Sequence, residues 1–391
     1  MALSNEILHT FIEPGPDGKP LPNSKPLLVY FITGNPGLID YYETTLKRLF
    51  DRLRAKQGDT DLYVYGKSLP GFVVVELIPS SPPYDLDQQI EHHTSQLLMM
   101  ASKLSQERNG AIVPIVLVGH SIGAYMCLEI ISRWQAKAAE SRAPMEIVGG
   151  ICLFPTVVDI AKSPTGRTVA PFLALPYSTV IAHYLVKIVF LLVPVFVLTL
   201  LVRLITGLES PAAKTTAQFL KSKHGVRQAL YLAKHEMTTV AADKWTDSLW
   251  GKPPSLSPST IFSDSTSSTF NARRDSPFRK RSSASTTPKP ARTPSADTKL
   301  FFYWAKNDHW VADDTRDELI STRGRLSTLI SGGRRVSATS ELYRPVMEVD
   351  EHGIPHAFPA KKTHSLIIGD KLAEYIDEIS VPLRARNVME G

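Results

Sequence analysis

Short uncharged apolar runs alternate along the chain with stretches in which apolar residues recur at helical spacing. Apolar positions spaced for a helix occur between Leu86 and Ala101 and again between Leu366 and Ile376. The apolar runs predict six buried strands, at Leu27 to Thr33, Phe72 to Ile78, Pro114 to Gly119, Ile147 to Phe154, Leu300 to Trp304 and Pro345 to Val349. This alternation predicts βαβ units around a mostly parallel central sheet with flanking helices.

The most hydrophobic stretch of the chain, Ile188 to Val202, interrupts the alternation. It carries no charge, lies between Lys187 and Arg203, and contains Pro194 near its middle. As a straight helix rising about 1.5 Å per residue it would reach roughly 22 Å, short of a hydrocarbon core of about 30 Å. A single transmembrane span is therefore not expected.

A second interruption, residues 251–298, is dominated by Ser, Thr, Pro and basic residues. Few large apolar side chains are present to offset the entropy of ordering, so we expect a disordered insertion. Its Ser-Pro and Thr-Pro pairs beside basic clusters are compatible with a phosphorylation-switched contact with anionic lipid or with a passive linker.

Composition limits the class of protein. The chain has 391 residues, 43% of them hydrophobic, which suffices for one large α/β domain with insertions or for two ordinary domains. Its net charge is +6, but much of the excess lies in the insertion, so nucleic-acid binding is not expected. Cys127 and Cys152 are too few for a disulfide framework, and the N-terminus lacks a signal-peptide pattern. We therefore expect a catalytic part that faces the cytosol.

The candidate nucleophile is Ser121, in the turn formed by Gly119, His120, Ser121, Ile122 and Gly123. An uncharged strand enters this turn and a helical pattern leaves it, which is the context that the G-x-S-x-G nucleophile elbow of the α/β-hydrolase fold requires. Small residues two positions before and after the serine let the strand and the helix pass closely.

A serine nucleophile needs a base oriented by an acid, which in this fold follow the serine in the order acid, then histidine. Asp308 lies in the loop after the strand that ends at Trp304, and is our candidate acid. Asp313 and Asp314 lie close by, but at a position where capping of the next helix is expected.

Four late histidines are candidates for the base. His309 directly follows the acid and His364 precedes the final helix, so neither is favoured. His352 and His356 both lie in the loop after the strand that ends at Val349. We favour His356 because Pro355 before it and apolar residues after it would fix the ring, while His352 remains open.

An oxyanion requires two backbone N–H donors, one from the residue after the nucleophile and one from the loop after an early strand. Ile122 supplies the first. The second is expected from Asn35, within Gly34-Asn35-Pro36-Gly37 directly after the first predicted strand. An ordinary turn is the alternative for this tetrapeptide.

Four blocks of sequence together resemble the lipid droplet-associated hydrolase family. They are Gly34 to Gly37 followed by Tyr41 and Tyr42, Gly119 to Ala124, Leu153 to Thr156, and Ile354 to Phe358. The resemblance implies an α/β-hydrolase fold with a helical cap and assigns the triad to Ser121, Asp308 and His356. It also implies a location on lipid droplets and the endoplasmic reticulum, at their cytosolic face, reached through an apolar insertion in the cap.

We therefore expect four regions: hydrolase core in 1–154, helical cap in 155–250 with a droplet-associating segment at 188–202, the insertion at 251–298, and the rest of the core in 299–391. Pro194 suits a bent segment that dips into a monolayer, because proline kinks a helix. The alternative is a buried cap helix that lines an acyl pocket.

The expected activity is hydrolysis of an apolar lipid ester, of sterol ester or acylglycerol type, without a metal or organic cofactor. Two alternatives use the same fold. One is a droplet-organising protein with little or no turnover, and the other is an acyltransferase with the same triad.

Overall fold

The protein is described by a computed structural model that covers residues 3–12, 25–56, 60–73, 81–137, 143–251, 298–325 and 344–390. The described strands form one seven-stranded sheet in the order β1-β3-β2-β4-β5-β6-β7. Strand β1 pairs antiparallel with β3, and every other pair is parallel. The strands are β1 (Glu6–Phe11), β2 (Lys25–Ile32), β3 (Thr60–Lys67), β4 (Val113–His120), β5 (Met145–Leu153), β6 (Lys299–Trp304) and β7 (Val346–Val349).

Helices cover both faces of the sheet, which is why the central strands are apolar on both sides. The described helices are α1 (Glu43–Arg54), α2 (Leu86–Glu107), α3 (Ile122–Lys137), α4 (Pro164–Ala174), α5 (Ser178–Phe190), α6 (Val195–Thr206), α7 (Ser210–Lys221), α8 (Gly225–Thr239), α9 (Asp313–Arg323) and α10 (Lys362–Glu390). Helices α1 and α10 pack on one face, and α2 and α3 pack on the other. Together with a sharp turn between β4 and α3, this is the α/β-hydrolase fold.

Five of the six predicted strands are confirmed, each within two residues at either end. Most of the strand predicted for Phe72 to Ile78 lies outside the described residues, and Phe72 itself lies in a turn. Strands β1 and β3 were not predicted from the sequence. Strand β1 is an edge strand with one half-buried face, and its pairing with β3 rather than its own hydrophobicity defines it.

Helices α4 to α8 lie between β5 and β6 and occupy the position of the predicted cap. Local sequence explains where some helices begin. The Ser163 side chain accepts from the Gly166 N–H at the start of α4, and Asp85 and Gln88 form a reciprocal capping box at the start of α2. The predicted disordered insertion, apart from its end residues, lies outside the described residues.

Candidate active site

The turn between β4 and α3 holds Ser121 in a left-handed backbone conformation, with φ of 55°. Such a conformation is uncommon for a residue with a side chain and is a recognised feature of strained functional turns. A Cβ on Gly119 would lie 2.3 Å from the Gly123 carbonyl oxygen, and one on Gly123 would lie 2.4 Å from the Ile32 carbonyl oxygen. Both glycines are therefore required by the close passage of strand and helix.

A continuous hydrogen-bond chain joins Ser121, His356 and Asp308. The His356 Nε2 atom lies 2.9 Å from Ser121 Oγ, and His356 Nδ1 lies 2.8 Å from Asp308 Oδ2. Because a carboxylate only accepts, His356 Nδ1 carries the proton and Nε2 is left to accept from the serine hydroxyl. Asp308 is buried, and its other oxygen accepts from the Trp310 N–H at 2.8 Å. The arrangement has the geometry that a serine nucleophile and its base require.

The other candidate residues lie away from this chain. His352 and His309 are exposed, and His364 lies in the first turn of α10. Asp313 and Asp314 are the first two residues of α9, whose N-cap is Ala312, so the expected capping role is wrong for both. Their negative charge instead lies in the first turn, where it interacts favourably with the helix dipole.

The loop that carries His356 is fixed by a second aspartate, Asp350, at the end of β7. Its Oδ1 accepts from the Tyr303 hydroxyl at 2.6 Å, and its Oδ2 accepts from the Ile354 N–H at 2.6 Å. Ile354 is buried two residues before His356. Asp350 therefore shapes the loop but does not touch the catalytic histidine candidate.

His120, the second residue of the serine motif, is the centre of another hydrogen-bond chain. Its Nε2 lies 3.0 Å from the His356 carbonyl oxygen, which can only accept, so Nε2 carries the proton. Burial holds the pKa of His120 well below its ordinary value and keeps the ring neutral, which leaves Nδ1 as an acceptor. The Tyr42 hydroxyl donates to Nδ1 at 2.8 Å and accepts from the Gly34 N–H at 3.2 Å. His120 and Tyr42 thus connect the His356 loop to the loop that contains Asn35.

The Gly34 to Gly37 loop lies against the nucleophile. A Cβ on Gly34 would lie 3.0 Å from Ser121 Cβ and 2.9 Å from His120 Nδ1, so glycine is needed for this approach. Ile122 is the first residue of α3, where a backbone N–H has no intrahelical partner. Within the described residues, neither the Asn35 N–H nor the Ile122 N–H donates to a backbone carbonyl oxygen in the turns and loops. Both residues predicted to supply oxyanion donors therefore lie near Ser121: Ile122 follows it in the chain, and Asn35 shares a cavity wall with it.

Helix α8 contacts the Asn35 side chain. Asn35 Nδ2 donates to the Ala229 carbonyl oxygen and to Glu236 Oε1, both at 2.9 Å. Glu236 is buried, and burial raises the pKa of its carboxyl group to about 7, although the hydrogen bond from Asn35 opposes the rise. Sequence reasoning gave no reason to single out Glu236.

A cavity of about 260 Å³ opens at Ser121 and His356. Polar groups in its wall include Asn35, Tyr41, Thr216 and Glu236, and its apolar wall comprises Pro36, Ile160, Leu208, Ala233, Trp310, Ala357, Pro359 and Ala360. Among the described residues that line it, none is Lys or Arg. The cavity therefore suits an uncharged, largely apolar ligand. Within the described ranges, no cluster of His, Cys, Asp or Glu could hold a metal ion.

We use the name apolar hairpin for the range 178–206, which comprises helix α5, the turn after it and helix α6. Both helices pack on α7. Of the 22 exposed large hydrophobic side chains in the described residues, 16 lie between 172 and 205. The predicted segment Ile188 to Val202 is not one helix: α5 ends at Phe190, and Pro194 is the N-cap of α6. The alternative of a buried helix lining an acyl pocket is wrong, because most of this segment is exposed and none of it lines the cavity.

Two lysines attach the apolar hairpin to α7. Lys221 Nζ donates to the carbonyl oxygens of Phe190, Leu191 and Val193 in the turn of the hairpin, at 2.9 to 3.1 Å. Lys187 donates in return to the carbonyl oxygens of Lys221 and Ser222 at the end of α7. Both lysines are thus held at carbonyl groups that the helix ends would leave without partners.

Buried contacts also join α6 to α7 and continue toward the cavity. Leu198 and Val202 of α6 pack against Ala213 and Ala217 of α7, with Leu208 at the edge of this cluster and in the cavity wall. No single helix in the described ranges is long and apolar enough to cross a membrane, whereas the bent pairs α4–α5 and α6–α7 could do so by length and composition alone.

Comparison with known proteins gives a family match over more than half of the chain. The family model described as lipid-droplet associated hydrolase matches residues 25–257 and 283–359. A lipid droplet-associated hydrolase of Gallus gallus is 30% identical over 223 residues, which cover 55% of this chain and 63% of that protein. The relative of the same name in Drosophila melanogaster is 28% identical over 222 residues, covering 54% and 66%. The relative of the same name in Rattus norvegicus is 28% identical over 179 residues, which cover 42% of this chain and 48% of that protein. The chain thus spans less than two thirds of each of these relatives.

Solved structures with similar folds are more distant in sequence. A soluble variant of monoglyceride lipase from Saccharomyces cerevisiae, in complex with a substrate analog, is 12% identical with a TM-score of 0.45, covering 96% of this chain and 92% of that one. A peroxisomal alpha-beta-hydrolase of the same yeast is 11% identical with a TM-score of 0.49, covering 96% and 90%. At these values the two structures carry no information about the activity of this chain.

Proposed function

The chain belongs to the lipid-droplet associated hydrolase family, and from that premise we propose that it is a serine ester hydrolase that acts on apolar lipid esters at the lipid droplet surface. The substrates that we propose are of sterol ester or acylglycerol type. The observation that carries the proposal is the hydrogen-bond chain from Ser121 through His356 to Asp308 at the cavity wall.

The proposed reaction begins when Ser121 Oγ attacks the carbonyl carbon of the ester while His356 Nε2 takes the hydroxyl proton. Asp308 holds the resulting imidazolium in orientation and stabilises its charge. The oxyanion of the tetrahedral intermediate accepts from the Asn35 and Ile122 N–H groups. When the carbon–oxygen bond breaks, His356 passes the proton to the leaving alcohol. Water then repeats the attack on the acyl-enzyme, releases the carboxylic acid and restores Ser121.

Two features support an apolar lipid as the substrate. The cavity is largely apolar, and its lining within the described part of the chain includes no Lys or Arg that would bind a charged acid or phosphate. The apolar hairpin exposes many large hydrophobic side chains, which favours contact with a lipid phase. Leu208 packs against the cluster between α6 and α7 and also lines the cavity, so the exposed apolar surface adjoins the site that contains Ser121.

We further propose that the apolar hairpin lies in the phospholipid monolayer of the droplet, or in the endoplasmic reticulum membrane, with the active site on the cytosolic face. Bent helices exposing apolar side chains suit shallow insertion better than a straight span. The assignment of the cap to residues 155–250 belongs to the same proposal.

Turnover of lipid esters by purified full-length protein tests the proposed function. Emulsified sterol esters and acylglycerols and a soluble p-nitrophenyl ester are compared for the unmodified protein, Ser121→Ala and His356→Ala. We expect each variant to lose on the order of 10⁴-fold or more in kcat, as for removal of a triad member. His352→Ala is the matched control, because His352 lies in the same loop but is exposed; it should retain full activity.

Other outcomes would replace the proposal by one of its alternatives. Absence of Ser121-dependent turnover on every ester, with droplet binding retained, would favour an organising role. Transfer of the acyl group to an added alcohol in preference to water would favour an acyltransferase. Equal loss in His352→Ala and His356→Ala would contradict the assigned base.

A further inference from the structure

Glu236 is a buried carboxyl group in the wall of the cavity that contains Ser121, and the proposed reaction does not use it. It comes from α8 of the cap, whereas the triad comes from the core. Its Oε1 accepts from Asn35 Nδ2 at 2.9 Å. A buried carboxyl group is costly to desolvate, so an apolar residue would be expected here if packing were its only role.

The contact is set by helix geometry. The Ala229 carbonyl points along α8 toward its C-terminus, and the Glu236 side chain, two turns later, leans back toward the N-terminus. Both acceptors therefore meet the same amide group, and Asn35 Nδ2 has two hydrogens to donate. Ala233, between them and in the cavity wall, has a small side chain that leaves room for this approach.

The loop around Asn35 is held from two directions. On the core side, the Gly34 N–H donates to the Tyr42 hydroxyl at 3.2 Å. On the cap side, the Asn35 side chain donates to Ala229 and Glu236. The Asn35 backbone N–H, which we assign to the oxyanion, lies between these two attachments. Loss of the acceptor on Glu236 would leave one Nδ2 hydrogen without a partner in a partly buried site, which favours reorientation of the side chain.

We propose that Glu236 is a positioning residue that holds Asn35, and with it one of the two oxyanion donors, through the Asn35 side-chain amide. The inference rests on the proposed function, because it assigns Glu236 to the same Ser121 site. Its role is to accept a hydrogen bond, and it neither gives nor takes a proton in the reaction. The cap therefore supplies a residue that positions an oxyanion donor, in addition to forming part of the cavity wall.

A set of variants at both ends of the contact tests this. Glu236→Ala removes the acceptor, whereas Glu236→Gln retains an amide oxygen that can accept from Asn35 Nδ2. Asn35→Ala keeps the backbone N–H but removes the side chain through which Glu236 acts. Gln228→Ala is the matched control, since Gln228 is also buried on α8 but bonds to the backbone of Tyr84, away from Asn35.

The readout is kcat and KM on a soluble p-nitrophenyl ester, with folding followed by circular dichroism. Removing an oxyanion donor costs about 10²- to 10³-fold in kcat, so a displaced donor should cost roughly tenfold or more. We expect Glu236→Ala to lower kcat by that factor with KM little changed, and Glu236→Gln to recover most of the loss. In the Asn35→Ala background, Glu236→Ala should cost little more, because both changes break the same contact.

Three results would overturn the inference. The first is an equal loss of kcat in Glu236→Gln and Glu236→Ala, which would point to proton transfer. The second is a full further loss of kcat when Glu236→Ala is added to Asn35→Ala. The third is a fall in kcat for Gln228→Ala equal to that for Glu236→Ala, which would indicate general disturbance of α8.

The comparison with Ser121→Ala keeps the two proposals separable. Absence of Ser121-dependent turnover in the unmodified protein contradicts the proposed function itself. Ser121-dependent turnover that is unaffected by any Glu236 variant contradicts only the positioning role. Should Glu236→Ala fail to fold, Glu236→Met replaces it, because Met fills a similar volume without an oxygen that accepts from Asn35 Nδ2. The inference predicts that Glu236→Met lowers kcat, that Glu236→Gln does not, and that Glu236→Met costs little more in the Asn35→Ala background; unchanged kcat in Glu236→Met would overturn it.

Discussion

Replacement of exposed side chains on the apolar hairpin should release the protein from lipid droplets without unfolding it. Leu192, Phe196 and Ile205 are 89%, 76% and 81% exposed, so their substitution by Asn removes few contacts within the protein. Burying a side chain of this size in an apolar phase contributes about 1.5 to 3 kcal/mol. Because each side chain is about four-fifths exposed, the three together contribute roughly 5 kcal/mol to the free energy of binding to the droplet surface.

At about 1.4 kcal/mol per factor of ten, the triple variant should bind droplets on the order of a thousandfold more weakly. The assay is flotation with artificial droplets that have a triacylglycerol core and a phospholipid monolayer, with the bound fraction measured across lipid concentrations. Turnover of a soluble p-nitrophenyl ester should be unchanged, because none of the three residues lines the cavity.

The matched control places the same change on exposed apolar residues elsewhere. Leu8, Met99 and Ile112 are also exposed but lie on β1, on α2 and before β4. Their replacement by Asn should leave flotation within about threefold of the unmodified protein, a margin of about 0.7 kcal/mol. Equal flotation of the hairpin variant and the unmodified protein would refute the reasoning, as would equal loss in the two triple variants.

Three further substitutions follow from the site. Gly123→Ala should abolish turnover and lower the melting temperature, since its Cβ would lie 2.4 Å from the Ile32 carbonyl oxygen; calorimetry and ester turnover measure both effects. Tyr42→Phe should lower kcat roughly tenfold and cost about 1 to 3 kcal/mol in unfolding free energy, because the Gly34 N–H and His120 Nδ1 both lose their partner. As pH rises from about 4.5 to 7, the unfolding free energy of Glu236→Gln should increase by about 3 kcal/mol relative to that of the unmodified protein. Denaturant titrations of both proteins across this pH range measure the difference.

The sign of the last prediction follows from the pKa of Glu236, which burial raises from 4.5 to about 7. Between these values the folded state holds the proton and the unfolded state does not, so rising pH weakens the folded state. Glutamine does not titrate, and the difference between the two proteins isolates this group. A difference in stability between the two proteins that stays constant from pH 4.5 to 8 would contradict the raised pKa of Glu236.

Full activity of Gly123→Ala would contradict the need for glycine in the turn at Ser121. Unchanged kcat of Tyr42→Phe would contradict the role of the Tyr42 hydroxyl in holding Gly34 and His120.

The sequence was sufficient to predict the central fold and the chain order of the triad candidates. Ser121 stands in a motif whose strand, turn and helix are local, so short-range pattern identifies it. Asp308 and His356 follow strands β6 and β7, and the carboxyl ends of parallel strands meet at one edge of the sheet. His352 and His356 differ in the sequence only by local setting, and the loop conformation that separates them depends on Asp350.

Contacts between distant residues account for what the sequence did not reveal. The Asn35 and Glu236 side chains meet across 201 positions, and Tyr42 and His120 meet across 78. No local pattern marks such pairs. The segment Ile188 to Val202 shows a second limit of sequence-based prediction, because a run of uncharged residues is equally compatible with a buried helix and an exposed one. The packing of α6 and α7, with large side chains left outside, distinguishes the two.

Covalent labelling of the purified protein by a fluorophosphonate probe tests the central claim, that Ser121 is an activated nucleophile. Mass spectrometry of the labelled protein and its peptides counts the adducts and locates them. The account predicts one adduct per chain on Ser121, none in Ser121→Ala, and strongly slowed labelling in His356→Ala. An unmodified protein that is not labelled, or is labelled equally when Ser121 is replaced by Ala, would contradict it.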